Sequence, residues 1–553
     1  MAERFAIGID YGTESGRVML TSIETGEEAA WALVPYKYGV IEGKLPDGTR
    51  LNHEWALQDP RDYLRVVEQG VPQVMEQSGV KAEQIVGIGT DFTACTMLPT
   101  LADGTPLCTL PEYASRPHAW VKLWKHHAAQ PQADRINEVG KARKEPALEM
   151  YNGAHSSEWF FAKVLQIVDE DFEIYEKADR LIEAADWITW QLTGEEKRGE
   201  CTAGYKDMWV KGAGFPSSEF FAALDPRIGN IVDEKLGHDY YPLGTKAGGL
   251  TAWMAAKTGL LEGTPVAVGH IDAHAGVPAC GVTGPGVLVM IMGTSLCHML
   301  MATERKIVEG VAGVVQDGIV PGYWGYEAGQ AAVGDLYGWF FRAFGVDPAA
   351  VTEKAAQLQP GETGLVALDW WNGNRSVLMN ADLSGVLVGA TLATQPHEIY
   401  RALIEATAFG TLTVIRAFEK EGIPIHRLMA CGGLPEKSSL VMQIFADVTN
   451  RTIELPKSLQ GSGLGAAMHG AVAGGAFADI AKAAESMGGV SGKSYKPDSG
   501  AHTVYSEVYE QYLALHDLFG RGGLDIMKKL RGIRSRVPSH RTSTADLKLF
   551  EHC

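Results

Sequence analysis

A mixed α/β fold built as two similar halves is the architecture this sequence of 553 residues predicts. Three observations carry that expectation. Strand-like apolar stretches alternate with helical periodicity along the chain. A strand near the start runs into Asp10-Tyr-Gly-Thr-Glu-Ser-Gly16, and a strand near the middle runs into Met292-Gly-Thr-Ser295, so a strand-and-turn pattern recurs about half a chain later. Between the halves, residues 263–285 are rich in Gly and Pro, which places the expected division at 1–280 and 281–553.

The elements follow in order. Residues 5–10 alternate and carry β-branched side chains, Gly12 and Gly16 punctuate the next stretch, and 18–23 resume a strand pattern: a β-hairpin. Helical periodicity covers 60–78, a short strand 85–89, and helices 134–143, 157–170 and 181–193. Ser156 or Ser157 suits the N-cap of the 157–170 helix, with Glu158 in its first turn, and Gly194 stops the 181–193 helix. Strands are expected at 265–269, 286–292 and 428–431, and helices at 334–344, 396–421, 438–449 and 465–474. The basic run 528–536 and the polar stretch 538–544 predict a solvated helix end and an irregular tail, with a subunit contact as the sharper alternative.

Composition narrows the function classes. The formal net charge is −18, which argues against sequence-independent nucleic-acid binding and against a polybasic membrane-surface role. Seven cysteines are scattered with no C-x-x-C pair, so neither a disulfide framework nor a zinc set is expected. The longest uncharged apolar run, 286–292, is too short for a bilayer, and no signal-peptide pattern opens the sequence. The expectation is a cytoplasmic protein with reduced thiols. Gly is over-used, at 64 residues, which invites a search for turns that touch phosphate.

Four segments could carry chemistry. In Asp10-Tyr-Gly12-Thr13-Glu-Ser15-Gly16-Arg17 a carboxylate ends a strand and a turn offers N–H groups and hydroxyls, a pattern for Mg²⁺ and phosphate or an ordinary exposed hairpin. Cys431-Gly-Gly433-Leu-Pro-Glu-Lys437-Ser438 lays a Gly pair before a helix, which suits an adenosine or phosphate group but fails the P-loop spacing. Gly461-Ser-Gly463-Leu-Gly-Ala466 fits G-x-G-x-x-[GA], but no strand precedes it, so close packing through small residues is preferred over dinucleotide binding. Gly269-His270-Ile-Asp272-Ala-His274-Ala-Gly276 offers either imidazole and carboxylate ligands to a metal or one catalytic carboxylate, Asp272, at the boundary.

In this order the segments resemble the FGGY family of carbohydrate kinases, members of the actin-like ATPase superfamily. The match spans D-x-G-T-x-S-x-R at the start, an Asp after G-H-x at mid-chain, a second G-T-S and a G-G-x-x-x-K loop. Long unusual strings add to it: Thr90-Asp-Phe-Thr-Ala-Cys-Thr-Met-Leu-Pro99, Val121-Lys-Leu-Trp124-Lys-His-His127, Ser156-Ser-Glu-Trp-Phe-Phe161, Cys201-Thr-Ala-Gly-Tyr-Lys206 and Gly325-Tyr-Glu327-Ala-Gly-Gln330. The resemblance implies two ribonuclease H-like domains around a cleft, with ATP and Mg²⁺ as cofactors. It implies Asp10 for Mg²⁺, and Thr13, Arg17, Gly293, Thr294, Gly334, Gly433 and Lys437 for the nucleotide. Asp272 is the implied general base, and Ala94, Lys206, Asp272 and Glu327 the implied sugar contacts. The expected reaction is phosphorylation of L-ribulose at its 5-hydroxyl in arabinose breakdown. The alternatives are another ketopentose or pentitol (D-ribulose, ribitol, xylulose), or a non-metabolic actin-like ATPase. Expected partners are a small sugar and ATP, without nucleic acid or membrane; a homodimer is the assembly considered. Many family members carry W-x-D-x-R where this chain has Trp124-Lys-His-His127-Ala128, so those Asp and Arg roles do not transfer, and His126 and His127 are left between substrate contact and packing.

Overall fold

The computed structural model describes residues 3–311, 313–458, 460–534 and 536. The irregular tail expected at 538–544 lies outside them. Two seven-stranded sheets dominate. The first holds β1 (Phe5–Tyr11), β2 (Ser15–Ser22), β3 (Glu28–Pro35), β4 (Ile85–Phe92), β5 (Lys246–Gly249) and β6 (Pro265–Ala267) in the order β5-β6-β4-β1-β2-β3, with β7 (His270–Ile271) also paired to β4. The second holds β8 (Val287–Met292), β9 (Leu296–Ala302), β10 (Gly313–Gln316), β11 (Trp324–Gln330), β12 (Arg427–Cys431), β13 (Ile453–Pro456) and β14 (Val490–Tyr495) in the order β10-β11-β9-β8-β12-β13-β14.

The echo in the sequence is an echo in topology. β1 and β2 form an antiparallel hairpin, and β4 runs parallel to β1 on its other side. β8 and β9 repeat the hairpin, and β12 runs parallel to β8. In each case the turn of the hairpin and the end of the parallel strand lie at the same sheet edge, where ligands bind in open α/β sheets. Both central strands are buried on both faces, which their near-continuous apolar runs require.

Seven helices frame the site: α1 (Glu200–Lys206), α2 (Asp272–Ala279), α3 (Gly334–Phe344), α4 (Pro396–Lys420), α5 (Gly433–Lys437), α6 (Ser439–Thr449) and α7 (Gly461–Ala473). α7 is the segment that mimics a dinucleotide motif, and its glycines serve packing as expected. It lies across β1 and β4, far from it in sequence. A Cβ at Gly8 or Gly89 would overlap the carbonyl oxygens of Gly463 and Ala466, and one at Gly465 would overlap that of Ala275 in α2. Small residues on both partners let backbone meet backbone.

Two local expectations are corrected. Residues 180–183 form a strand, Arg180–Glu183, paired with Met97–Thr100, and the helix begins only at Ala184 before its left-handed Gly194 cap. Leu181 and Ile182 fit either period, and the partner strand decides. The 157–170 helix starts at Phe160 with Trp159 in the cap position; Ser156 instead closes the preceding turn by accepting from the Glu158 N–H.

Candidate active site

The hairpin turn between β1 and β2 is held from three sides. Gly12 N–H donates to the Ser15 carbonyl at 3.0 Å. Gln58 Nε2 donates to the Thr13 carbonyl at 2.7 Å, and Trp124 Nε1 donates to Thr13 Oγ1 at 3.1 Å. Trp124 therefore ties the segment that departs from W-x-D-x-R directly to the predicted phosphate turn. Its neighbour His126 packs: it is fully buried, Nδ1 accepts from Ala56 N–H at 3.3 Å and Nε2 lies 2.8 Å from Gln166 Oε1. With Nδ1 accepting, the ring proton sits on Nε2 and is donated to Gln166. His127 is exposed, 3.7 Å from Glu158. Arg17, about half exposed, reaches Asp10 at 3.4 Å.

Three carboxyl groups converge behind this turn. Register places Asp10 on β1 opposite Asp91 on β4, and His270 on β7 opposite Asp91 from the other side. Asp272 follows at the first position of α2, its Oδ1 accepting from Ala273 N–H at 2.6 Å. Asp91 is fully buried, and neither oxygen has a hydrogen-bond donor among the described residues. Burial, then the charges of Asp10 and Asp272, push its carboxyl well above the usual range. Burial also raises Asp10, against the pull of Asp91 and Arg17. Of the two, Asp91, the deeper member, is pushed up the more strongly. Asp272 is pushed up to about 7 by burial and by Asp10, with the Ala273 N–H opposing. Asp91 is a site residue the motif pattern passes over; its signal is a carboxylate ending a buried strand beside the strand that carries Asp10.

These residues fit a divalent cation. Oxygen donors, excess negative charge and one arginine at 3.4 Å are what Mg²⁺ balances, and Mg²⁺ typically uses one or two carboxylates while phosphate and water complete its shell. Among the described residues no group of three or more His, Cys, Asp or Glu could hold a metal unaided. That includes the His270–His274 segment. Those rings are buried, and burial holds His274 down at about 4, so they are neutral.

On the adjoining wall, Lys206 at the end of α1 meets Glu327 on β11 with Nζ–Oε distances of 2.9 and 2.8 Å. Both side chains are nearly buried. Burial opposes the charge of Glu327, but Lys206 outweighs it and holds the carboxyl at about 2. Lys206 is correspondingly raised: burial opposes its charge too, and Glu327 prevails. His274 Nε2 lies 3.5 Å from Glu327. Ala94 sits in the turn after β4, where Thr93 and Thr96 hydroxyls bond at 3.0 Å. The buried Lys163 pins this turn by donating to the carbonyls of Cys95 and, at 2.9 Å, Leu123. No sequence motif marks Lys163; its role is visible only once the helix at 160–170 packs beneath the turn.

The second hairpin turn is equally tight. Gly293 N–H donates to the Ser295 carbonyl at 2.9 Å, while the Val333 and Gly334 N–H groups donate to the Thr294 and Gly293 carbonyls at 3.0 Å. A Cβ at Gly334 would stand 2.5 Å from Gly293 O, so α3 can start this close only with glycine. After β12, Gly432 takes φ 93° with Met292 O 2.6 Å from where a Cβ would be. Gly433 faces open space, and Lys437 is exposed at the end of α5. The first turn, the carboxyl cluster and the Lys206–Glu327 pair are thus joined by direct register and contact, and the second turn packs against α3. Gly433 and Lys437 stand on the open side, on the short helix α5, which packs against β12 and against β8, the strand that leads into the second turn.

The chain is similar to known proteins over nearly its whole length. The N-terminal domain of the FGGY family of carbohydrate kinases matches residues 5–278 and the C-terminal domain residues 288–474. The chain is similar to "Ribulokinase" of Halalkalibacterium halodurans, 52% identical with 97% of this chain and 98% of the relative covered. It is also similar to that of Mycolicibacterium smegmatis, 46% identical over 98% of each. Among solved structures it shares its fold with a xylulose kinase from Rhodospirillum rubrum, at TM-score 0.78 and 22% identity over 93% of this chain and 98% of the other. A gluconate kinase from Lactobacillus acidophilus gives TM-score 0.79 at 18% identity over 94% and 99%. Two family domains in order along one chain, with relatives of about half-identical sequence over nearly its full length, identify the protein: it belongs to the FGGY family of carbohydrate kinases.

Proposed function

We propose that this protein transfers the γ-phosphoryl group of ATP to the 5-hydroxyl of L-ribulose, with Asp272 as general base. The observation that carries the reading is Asp272 itself, a carboxyl held at about 7 between the Asp10 turn and the Lys206–Glu327 pair. A base poised near neutrality can take a hydroxyl proton as that oxygen attacks phosphorus, ADP leaving with the bond electrons. Lys206 donates to sugar oxygens, Glu327 accepts from sugar hydroxyls, and the Ala94 turn shapes the wall. Thr13, Arg17, Gly293, Thr294, Gly334, Gly433 and Lys437 meet the nucleotide. Asp10 carries Mg²⁺, which when bound neutralises phosphate charge.

Support for L-ribulose comes from relatives named ribulokinase at 46–52% identity. The same reading makes residues 1–280 and 281–553 two domains about the cleft, and places the enzyme in the cytoplasm in L-arabinose degradation. No helix among the described residues is long and apolar enough to cross a membrane. The test is ADP release measured with each 2-ketopentose and with pentitols. Preference for L-ribulose supports the proposal; preference for another sugar reassigns the substrate; turnover indifferent to every sugar removes the kinase reading.

A further inference from the structure

One cation beside the proposed sugar contacts has no hydrogen-bond or ion-pair partner among the described residues. Arg375 lies in the loop 369–385, and its neighbour Ser376 fastens that loop to β11 by accepting from the Gly329 N–H at 3.2 Å. Glu327 and Gly329 are alternate residues of one strand and so share a face. The Arg375 stem runs over Gly329: a Cβ there would stand 3.4 Å from its Cδ and 3.5 Å from Nη1. Its head group therefore emerges beside the Lys206–Glu327 pair. The groups acting on it most strongly are Glu158, Cys297, Glu327 and Cys95, the last next to Ala94. For Asp272 the corresponding side-chain groups are Asp10, Glu327 and Lys206. Glu327 is common to both, so Asp272 and Arg375 both neighbour the Lys206–Glu327 pair.

Arg375 donates no hydrogen bond and forms no ion pair with any described residue, although its side chain is partly buried. A planar fork of five donors, partly buried and without an acceptor among the described residues, suits acceptor atoms brought by a ligand. With the reacting hydroxyl at Asp272, the far end of a five-carbon sugar points toward this fork. We propose that Arg375 binds the end of the sugar away from Asp272, donating to the C2 carbonyl oxygen of an open-chain 2-ketopentose, and so sets preference for ketoses over pentitols. The inference rests on the substrate reading above. A ketone oxygen only accepts, which matches a group that only donates; the alcohol in its place also needs an acceptor for its own hydrogen.

The experiment is steady-state kinetics of the full chain, wild type, R375K and R375Q, with L-ribulose and with ribitol and L-arabinitol, the two alcohols made by reducing C2. Wild type is expected to prefer the ketose. R375Q is expected to lower kcat/KM for L-ribulose about 10- to 100-fold, mainly through KM, as for loss of a charged hydrogen bond. Pentitols should change less than about threefold and KM for ATP should hold, so the preference collapses. R375K keeps the charge and loses the fork, and is expected to narrow the preference by a smaller factor; it decides the matter if R375Q does not fold. Unchanged preference in R375K, equal losses for ketose and pentitols, a fall in kcat alone, or a wild type without ketose preference would each overturn the inference. Wild type that turns over no 2-ketopentose would instead overturn the substrate reading itself.

Discussion

Replacing Asp272 with Asn separates what this carboxyl does for catalysis from what it costs the fold. The substitution keeps size and removes the base and its charge. Loss of a positioned general base lowers kcat about 10²- to 10⁴-fold. The same carboxyl is raised from 3.8 to about 7 in the folded protein, by burial first and Asp10 next. A raised carboxyl means the unfolded chain loses its proton at lower pH than the folded one. The cost to stability is therefore absent below pH 3.8, grows between pH 3.8 and 7, and is complete above 7. At 1.36 kcal/mol per unit, the rise from 3.8 to about 7 amounts to about 4 kcal/mol at pH 8. Asp272→Asn should accordingly be nearly inactive yet melt several degrees higher than wild type at pH 8, the gain shrinking toward pH 4. Coupled ADP-release assays and scanning calorimetry of the Mg²⁺-free protein at both pH values measure the two effects. A variant retaining a tenth of wild-type kcat, or a thermal gain independent of pH, would refute the reasoning.

Other outcomes follow from the same geometry. For wild type, kcat/KM for the sugar at saturating MgATP should rise with unit slope as pH rises through the Asp272 value, at about 7 or lower because bound Mg²⁺ offsets Asp10; a flat profile from pH 5 to 8 would exclude a carboxyl base. Glu327→Gln leaves Lys206 buried without its counter-charge, so it should lower stability by about 3–5 kcal/mol in urea unfolding and raise KM for the sugar more than KM for ATP. Gly465→Ala would drive a methyl into the Ala275 carbonyl of the Asp272 helix; a loss of about 1–3 kcal/mol is expected, with kcat falling as α2 shifts. Trp124→Phe removes the N–H that holds Thr13 Oγ1 and should raise KM for ATP severalfold, with little change in melting.

Much of this architecture is legible in the sequence because it is local. The β1–β2 hairpin, the β8 strand with its Gly293-Thr294 turn, and α3 and α4 each declare themselves through periodicity and glycine punctuation. The strands β9, β10 and β11 do not. Trp324-Gly-Tyr-Glu-Ala-Gly-Gln330 has two glycines and no β-branched residue, and it is a strand because both edges find partners. The same rule governs the site. Asp10 and Asp272 announce themselves by following apolar strands before a turn or helix. Asp91 gains its place only through register with Asp10, Lys163 only through the turn it underlies, and Arg375 only because Ser376 fastens its loop beside Gly329. The apparent dinucleotide motif at 461–466 shows the converse: Gly463, Ala466 and Gly465 meet the backbones of β1, β4 and α2 respectively.

The central claim is tested most directly by identifying the product. Incubation with ATP, Mg²⁺ and L-ribulose, followed by phosphorus and carbon NMR, should show one ADP formed per sugar phosphorylated and the new phosphate on C5. ADP release without sugar phosphate, or phosphate on a different carbon, would contradict the account.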